Sequence, residues 1–513
     1  MSARLRGVWS TAVTAAVLLS VAWCPAAWAS KDQVSVFQDD AALVLDGEAS
    51  RDATMDELVG LGVDVVHSIV YWNKLAPGAT SATPPSGFDA TDPADYPARL
   101  WDPYDGLVRG AAARGMGVIL SPTGPVPRWA SGCRGRARAR RTCRPSARQF
   151  EAFVTALGRR YSGRYADENQ GEGLLPRVTQ WSVWNEPNQG GWLTPQYVKR
   201  GGRTVLASPV IYRSLVRAAI RGLRRAGHGS DDVLLGETAP IGRATGRPTS
   251  RPVPPVDFFR ALLCIDSRGR ALRGEAARRL GCARFGRLAV TGVSHHPYTR
   301  GGSQPPTTPA GPGEITLSSV ARLERIVDEA ARRGRLPRQL PIFYTEFGFQ
   351  TNPPDRIFGI PLAAQAAYIN QSDWIAFRDR RVRAVAQYEL RDELKLSSFQ
   401  SGLRLVDGTA KPAWAAYRLP LWVERAGSAV KVFGQVRPAP DGAAEQVEVQ
   451  NLPPGSANFV TLKTVTTTNR KGFILVKLPR RSGRWRLSWT PSGGGPTITS
   501  RVATVARAQR RNA

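Results

Sequence analysis

"VWNEPNQGG", residues Val183 to Gly191, ends an apolar, strand-forming run on an Asn, a Glu and a proline. A carboxylate adds nothing to the packing of a buried strand, and taking it out of water unpaired is costly. It makes sense where a strand delivers its last residues to a working face. Working outward from this stretch, strand-length apolar runs recur at Val34–Phe37, Val63–Trp72, Gly117–Pro122, Val178–Glu186, Val233–Glu237, Val290–His296, Pro341–Gly348 and Ala384–Leu390. Between them lie amphipathic stretches of helical period: Ser50–Leu61, Tyr104–Arg114, Ala147–Tyr161, Val210–Ala226, Leu317–Arg333 and Pro361–Asp379. Several are followed by the glycine that helix ends favour. Eight such alternations over about 380 residues predict a parallel TIM (β/α)8 barrel with long insertions. A doubly wound open sheet would alternate in the same way, but no Gly-x-Gly-x-x-Gly turn follows the first strand.

The barrel is expected to occupy residues 30–419. After Leu419 the texture changes to short segments that alternate apolar and polar residues: Ala429–Val436, Glu445–Gln450, Asn458–Thr467, Phe473–Leu478 and Arg484–Trp489. Turn residues separate them, so residues 420–490 read as a small β-sandwich. It would pack against the barrel or present an accessory glycan-binding face. From Pro491 to the end, residues 491–513, three glycines and an arginine-rich finish predict a flexible basic tail.

The first 29 residues read as an export signal. Arg4 and Arg6 precede an apolar run from Val8 to Ala22, and Ala27-Trp28-Ala29 supplies the small-x-small pattern of a cleavage site. The run is shorter than the roughly 18 apolar residues that a membrane anchor needs. Trp23 stands where a lipoprotein signal ending at Cys24 needs a small residue. Cleavage would leave Cys133, Cys143, Cys264 and Cys282, an even count that favours disulfides in an exported chain, with buried free thiols as the alternative. Of three possible pairings, Cys133 with Cys143 and Cys264 with Cys282 would each staple one arginine-rich insertion. The 513 residues carry 71 Lys and Arg against 41 Asp and Glu, a net charge of +30, and 42% are hydrophobic, which excludes a disordered chain. Arginine is spread throughout and no nucleic-acid-binding signature appears, so nucleic acid is not the expected partner. Genome composition accounts for the bias, unless the charge serves an anionic wall, membrane surface or acidic glycan.

A TIM barrel does its chemistry at the carboxyl ends of its strands. The fourth predicted strand ends at Asn185-Glu186, and the seventh, in "PIFYTEFGF", at Glu346. Either acid alone would pass for a loop salt-bridge partner. Two carboxyl groups facing each other across a sugar, however, are what glycosidic cleavage needs: one protonates the leaving oxygen and the other meets the developing oxocarbenium ion.

Trp184 to Asn188, Thr345 to Gly348 and His296-Pro297-Tyr298 together resemble clan A glycoside hydrolases, most closely families 5 and 39, over roughly residues 34 to 418. The resemblance implies that Glu186 is the general acid/base, Glu346 the nucleophile and Asn185 a partner for the sugar 2-hydroxyl. It also implies that the Tyr298 hydroxyl holds the nucleophile, with His296 beside it. A retaining pair sits about 5 to 5.5 Å apart, with Glu186 protonated and Glu346 ionised at rest. One departure stands out: His67, in "VVHSIVYWNKLAP", occupies the place where the family usually has an Arg. Trp129 resembles a subsite tryptophan of the family, and Trp72 and Tyr388 close the second and eighth strands, so these three are candidates for stacking on sugar, or else for plain packing. Adjacent His295 and His296 point to opposite faces of a strand, which argues against a metal site. The expectation is thus a secreted, monomeric retaining β-glycosidase that needs no cofactor and acts on a carbohydrate, neutral or anionic. A wall-associated glycan-binding protein without turnover is the alternative.

Overall fold

The computed structural model describes residues 31–135, 141–168, 171, 173–283, 285–439, 444–467 and 469–508. The expected export signal and the loop arginines Arg136, Arg138 and Arg140 lie outside these residues. Eight parallel strands close into a barrel: β1 (Val34–Gln38), β2 (Val65–Tyr71), β3 (Gly117–Thr123), β4 (Gln180–Val183), β5 (Asp232–Thr238), β6 (Gly292–His295), β7 (Ile342–Tyr344) and β8 (Val382–Tyr388). Neighbours in sequence are neighbours in space, and β8 returns to β1 with Val34 opposite Ala384. This is the TIM barrel that the alternation predicted.

The barrel interior is layered. Val36, Val65, Ile119, Leu234, Phe343 and Ala384 form an apolar floor. Two residues further along three of these strands, on the same face by the period-two rule, stand Gln38, His67 and Ser121, all buried. Ser182 and Ser294 join this upper layer through a 3.0 Å hydrogen bond. Polar side chains therefore lie directly beneath the carboxyl ends of the strands.

Outside the strands, helix Ala147–Arg160 is capped by Ser146, whose Oγ accepts from Gln149 N at 3.4 Å. It packs closely against helix Ser208–Arg225 at Gly222, where a Cβ would come within 2.7 Å of the Glu151 carbonyl oxygen. The insertions are stapled as expected: Cys133 is bonded to Cys143 and Cys264 to Cys282, each with a Cα–Cα distance of 5.8 Å. Among the described residues no helix is long and apolar enough to cross a membrane.

The C-terminal region is a two-sheet sandwich. One sheet orders Leu421–Ala426, Ala429–Gln435 and Phe473–Pro479, and the other Val460–Thr467, Glu445–Leu452, Arg484–Trp489 and Ile498–Thr499. Val432, Val447, Val449, Trp485 and Leu487 fill the space between them. Phe433 and Phe473 pack on Trp374 and Phe377 of the last long barrel helix, Leu362–Phe377, so the sandwich docks on the helical layer. The segment expected as a loose tail is corrected in part. Ile498–Thr499 pairs with Ser488 and Trp489, Trp485 and Ala503 exchange backbone hydrogen bonds of 2.8 Å, and Arg501 donates to Asn370 Oδ1 at 2.7 Å. An open backbone edge and a buried acceptor take up a stretch whose composition alone suggested disorder.

Candidate active site

The chain leaves β4 through a strained turn. Trp184 (φ 68°) and Glu186 (φ 36°) are both left-handed, a region that costs a non-glycine residue about 1 to 2 kcal/mol. Neighbouring strands hold it there: Trp184 N donates to Pro122 O at 3.2 Å, Asn185 N to Thr123 Oγ1 at 3.0 Å and Glu186 N to Glu237 O at 2.9 Å. The turn sends the Trp184 ring into the helical layer, edge-on to Phe150. Asn188 ties the loops after β4 and β5 together, donating Nδ2 to Ala239 O and Val253 O at 3.1 Å and accepting from Ala239 N at 2.9 Å. The two asparagines of the quoted stretch thus divide their tasks. Asn188 is a strut, whereas Asn185 keeps a buried Oδ1 with no hydrogen-bond partner.

Glu346 follows β7, and the Tyr298 hydroxyl donates to its Oε1 at 2.9 Å. His296 Nδ1 lies 3.3 Å from Glu186 Oε1 and 3.5 Å from Glu346 Oε2. The two strand-end acids therefore meet on one imidazole nitrogen. Burial depresses the His296 imidazole, but Glu346, Glu186 and Glu237 outweigh it and push it up to about 9. Burial raises Glu346 to about 7; the Glu186 charge acts in the same direction, while His296, Tyr298 and His67 act against it. Burial of Glu346 thus works against the ionised form that the resemblance implies, and its contacts with His296 and Tyr298 work for it. Glu346 is the deeper acid, its side chain 9% exposed against 21% for Glu186.

His67 is fully buried one layer below, and does not face the bowl as a substrate-binding residue would. Its Nδ1 lies 2.9 Å from Gln38 Oε1 and 3.0 Å from the Thr345 carbonyl oxygen, and its Nε2 lies 2.7 Å from Ser121 Oγ and 3.1 Å from Glu237 Oε1. His295 turns away as expected, bonded to Thr238 Oγ1 and the Ile315 carbonyl. Burial pushes its imidazole down to about 3.

Two aromatic candidates are corrected. Trp72 is fully buried, stacked on Phe153 and edge-on to Trp129, and Trp129 donates Nε1 to Pro77 O beneath Phe88. Trp72 opens the helical turn Trp72–Leu75, which breaks the strand alternation and carries its ring into the helical layer. Its neighbour Tyr71, the last residue of β2, remains half-buried and stacks on Trp192 at 6.2 Å and 22°. Tyr388 does stand near the acids. It meets Phe399 at 5.2 Å, and Phe399, which is exposed, lies 6.2 Å from Tyr298. Sequence reasoning thus missed Tyr71, Trp192, Phe399 and Glu237. Glu237 carried the same signal as Glu186, an acid closing a predicted strand, whereas Trp192 and Phe399 sit on loops where no periodicity speaks.

No family model matches the chain, and no curated protein matches it. Solved structures of similar architecture include a glucosidase from Croceicoccus marinus (13% identity, TM-score 0.49, 88% of this chain and 94% of that one). A monomeric beta-xylosidase from Caulobacter crescentus CB15 is similar at 16% identity and TM-score 0.46, over 89% and 95% of the two chains. An endo-beta-1,4-mannanase from Thermotoga petrophila is similar at 10% identity and TM-score 0.41, over 94% and 99%. TM-scores below 0.5 leave the activity of this chain to be read from its own site.

Proposed function

We propose that this chain is a glycoside hydrolase that cleaves β-glycosidic bonds of an oligo- or polysaccharide with retention of configuration. The observation that carries the proposal is the meeting of Glu186 and Glu346 on His296 Nδ1, with the Tyr298 hydroxyl on Glu346. Two contacts this short on one atom favour the close spacing of retaining pairs over the about 6.5 to 9.5 Å of inverting ones. In the first step a Glu346 oxygen attacks the anomeric carbon, the glycosidic bond breaks, and the leaving oxygen takes the proton from Glu186. In the second, Glu186 takes a proton from water, whose oxygen attacks the same carbon and releases Glu346. Tyr298 and His296 both favour the ionised form of Glu346, which supports leaving the shared proton on Glu186 once a sugar covers the pair. The buried, unpartnered Asn185 Oδ1 suits a sugar hydroxyl. The half-buried faces of Tyr71, Trp192 and Tyr388 suit its C–H side. Two disulfides support an oxidising, extracellular setting.

The test uses a panel of aryl β-glycosides and polysaccharides. Glu346→Ala is expected to lose turnover on all substrates and to regain part of it with azide, yielding a glycosyl azide of inverted configuration. Glu186→Ala is expected to keep its first step on substrates with good leaving groups, for which proton donation matters least. Equal loss on every substrate in both variants would overturn the assignment of roles.

A further inference from the structure

We propose that His67 is a fixed imidazolium, paired with Glu237, and that this buried pair positions the end of β7 and holds Glu346 toward its ionised form. The surroundings of the ring dictate the charge. A neutral imidazole has one bare nitrogen, which needs a donor. Nδ1 faces the Thr345 carbonyl oxygen and Gln38 Oε1, both acceptors. The Gln38 amide is not free to turn, because its Nε2 donates to Asp40 Oδ2 at 3.0 Å. Nε2 faces Glu237 Oε1 and Ser121 Oγ, and the one Ser121 proton is directed to the same Glu237 oxygen at 2.9 Å. With Glu237 ionised, the four contacts on the two ring nitrogens are satisfied together only when both nitrogens carry protons.

Burial of this depth makes a lone charge prohibitive, and pairing is what permits it. The titratable and charged groups that act on the ring are Asp40 beyond β1, Glu237 on β5, His296 after β6 and Glu346 after β7. Burial opposes the charge on both partners. Even so, Glu237 and Asp40 hold the His67 imidazole above its ordinary value against the repulsion of His296, and His67 and His296 hold the Glu237 carboxyl below its own. The bond to the Thr345 carbonyl pins the peptide that immediately precedes Glu346, and the same charge acts on the Glu346 carboxyl. His67 and Glu237 are positioning residues: neither reaches the bowl. The consequence for turnover rests on the glycosidase reading, but the charge of the pair does not.

The experiment is chosen to separate the two. Neutron diffraction from the unmodified protein, exchanged into heavy water at neutral pH, is expected to show deuterium on both ring nitrogens of His67. A bare ring nitrogen, or a protonated Glu237, would overturn the proposal without reference to any substrate. Carboxyl 13C NMR, with the Glu346 signal assigned by its loss in Glu346→Gln, then reads the positioning role. In Glu237→Gln the Glu346 titration is expected to move up by about one pH unit, and in Glu237→Asp to stay near the parent value. A Glu346 titration that does not move in a folded Glu237→Gln protein would overturn the link to Glu346. If that variant does not fold, the neutron result on the parent alone decides the charge, and the same titration in Ser121→Ala, expected to shift in the same direction, decides the link. Should no glycoside be turned over while both deuterons are present, the proposed function fails and the pair stands.

Discussion

A carboxylate as enclosed as Glu346 works against folding and for chemistry. Its value of about 7, raised from 4.5 chiefly by burial, means that the folded chain keeps the proton where the unfolded chain has released it. Stability from this group is therefore fully present below about pH 4.5 and is lost as pH rises through about 7. Glu346→Gln keeps the shape and removes the ionisation. It is expected to stabilise the protein at pH 8 by on the order of 1 to 3 kcal/mol relative to the parent, and by much less at pH 5. Denaturant unfolding at the two pH values checks this; an equal difference at both would mean that burial does not set the charge of Glu346. At this scale the sequence was legible where chemistry and position coincide, as in the acids that close predicted strands. It was illegible where a single residue decides which way a ring points. Tyr71 and Trp72 are both aromatic at the end of β2, but only the first keeps the strand's alternation; the second starts a turn and enters the helical layer.

The eight strands could be read because short segments rich in valine, isoleucine, leucine and aromatic residues, alternating with stretches of helical period, have few alternatives. The strand Leu421–Ala426 was not anticipated. It follows helix Pro412–Arg418 after only Leu419 and Pro420, so no loop composition marks its start. The pairing of residues 498–506 was hidden for the opposite reason, since its hydrogen bonds come from backbone and from distant partners rather than from its own pattern. The insertions give an element-scale prediction. The Cys264–Cys282 bridge closes an 18-residue separation in the region after helix Pro255–Leu262. Replacing both cysteines by serine is expected to cost about 3 kcal/mol in unfolding free energy while leaving the rate per folded molecule unchanged. Loss of activity in a protein that unfolding measurements show to be folded would mean that this insertion reaches the site after all.

On the scale of the whole molecule, two features are set by packing and one by charge. The polar layer over an apolar floor places the titratable groups at one end of the barrel, and the sandwich docks through Phe433 and Phe473 onto an outer helix. The net charge of +30 has no such fixed place. In sequence, the arginine-rich stretch between Cys133 and Cys143 belongs to the connection that follows β3, and such connections of a TIM barrel open on its catalytic side. If it gathers an anionic glycan, catalytic efficiency on acidic polysaccharides will fall as salt shortens the Debye length to about 8 Å. It will fall less in a variant with Arg136, Arg138 and Arg140 changed to Ser. A flat salt response on every active substrate would leave the charge to genome composition.

In the proposed mechanism Glu346 forms and then breaks a covalent bond to sugar while Glu186 moves the proton. Incubation with an activated 2-deoxy-2-fluoro β-glycoside, of whichever sugar the substrate panel selects, slows the second step more than the first and so traps the intermediate. Mass spectrometry of the digested protein is predicted to find one sugar on the peptide that carries Glu346, and none in Glu346→Gln. A sugar carried by any other residue, or hydrolysis to the inverted anomer with no adduct, would contradict a double displacement through Glu346.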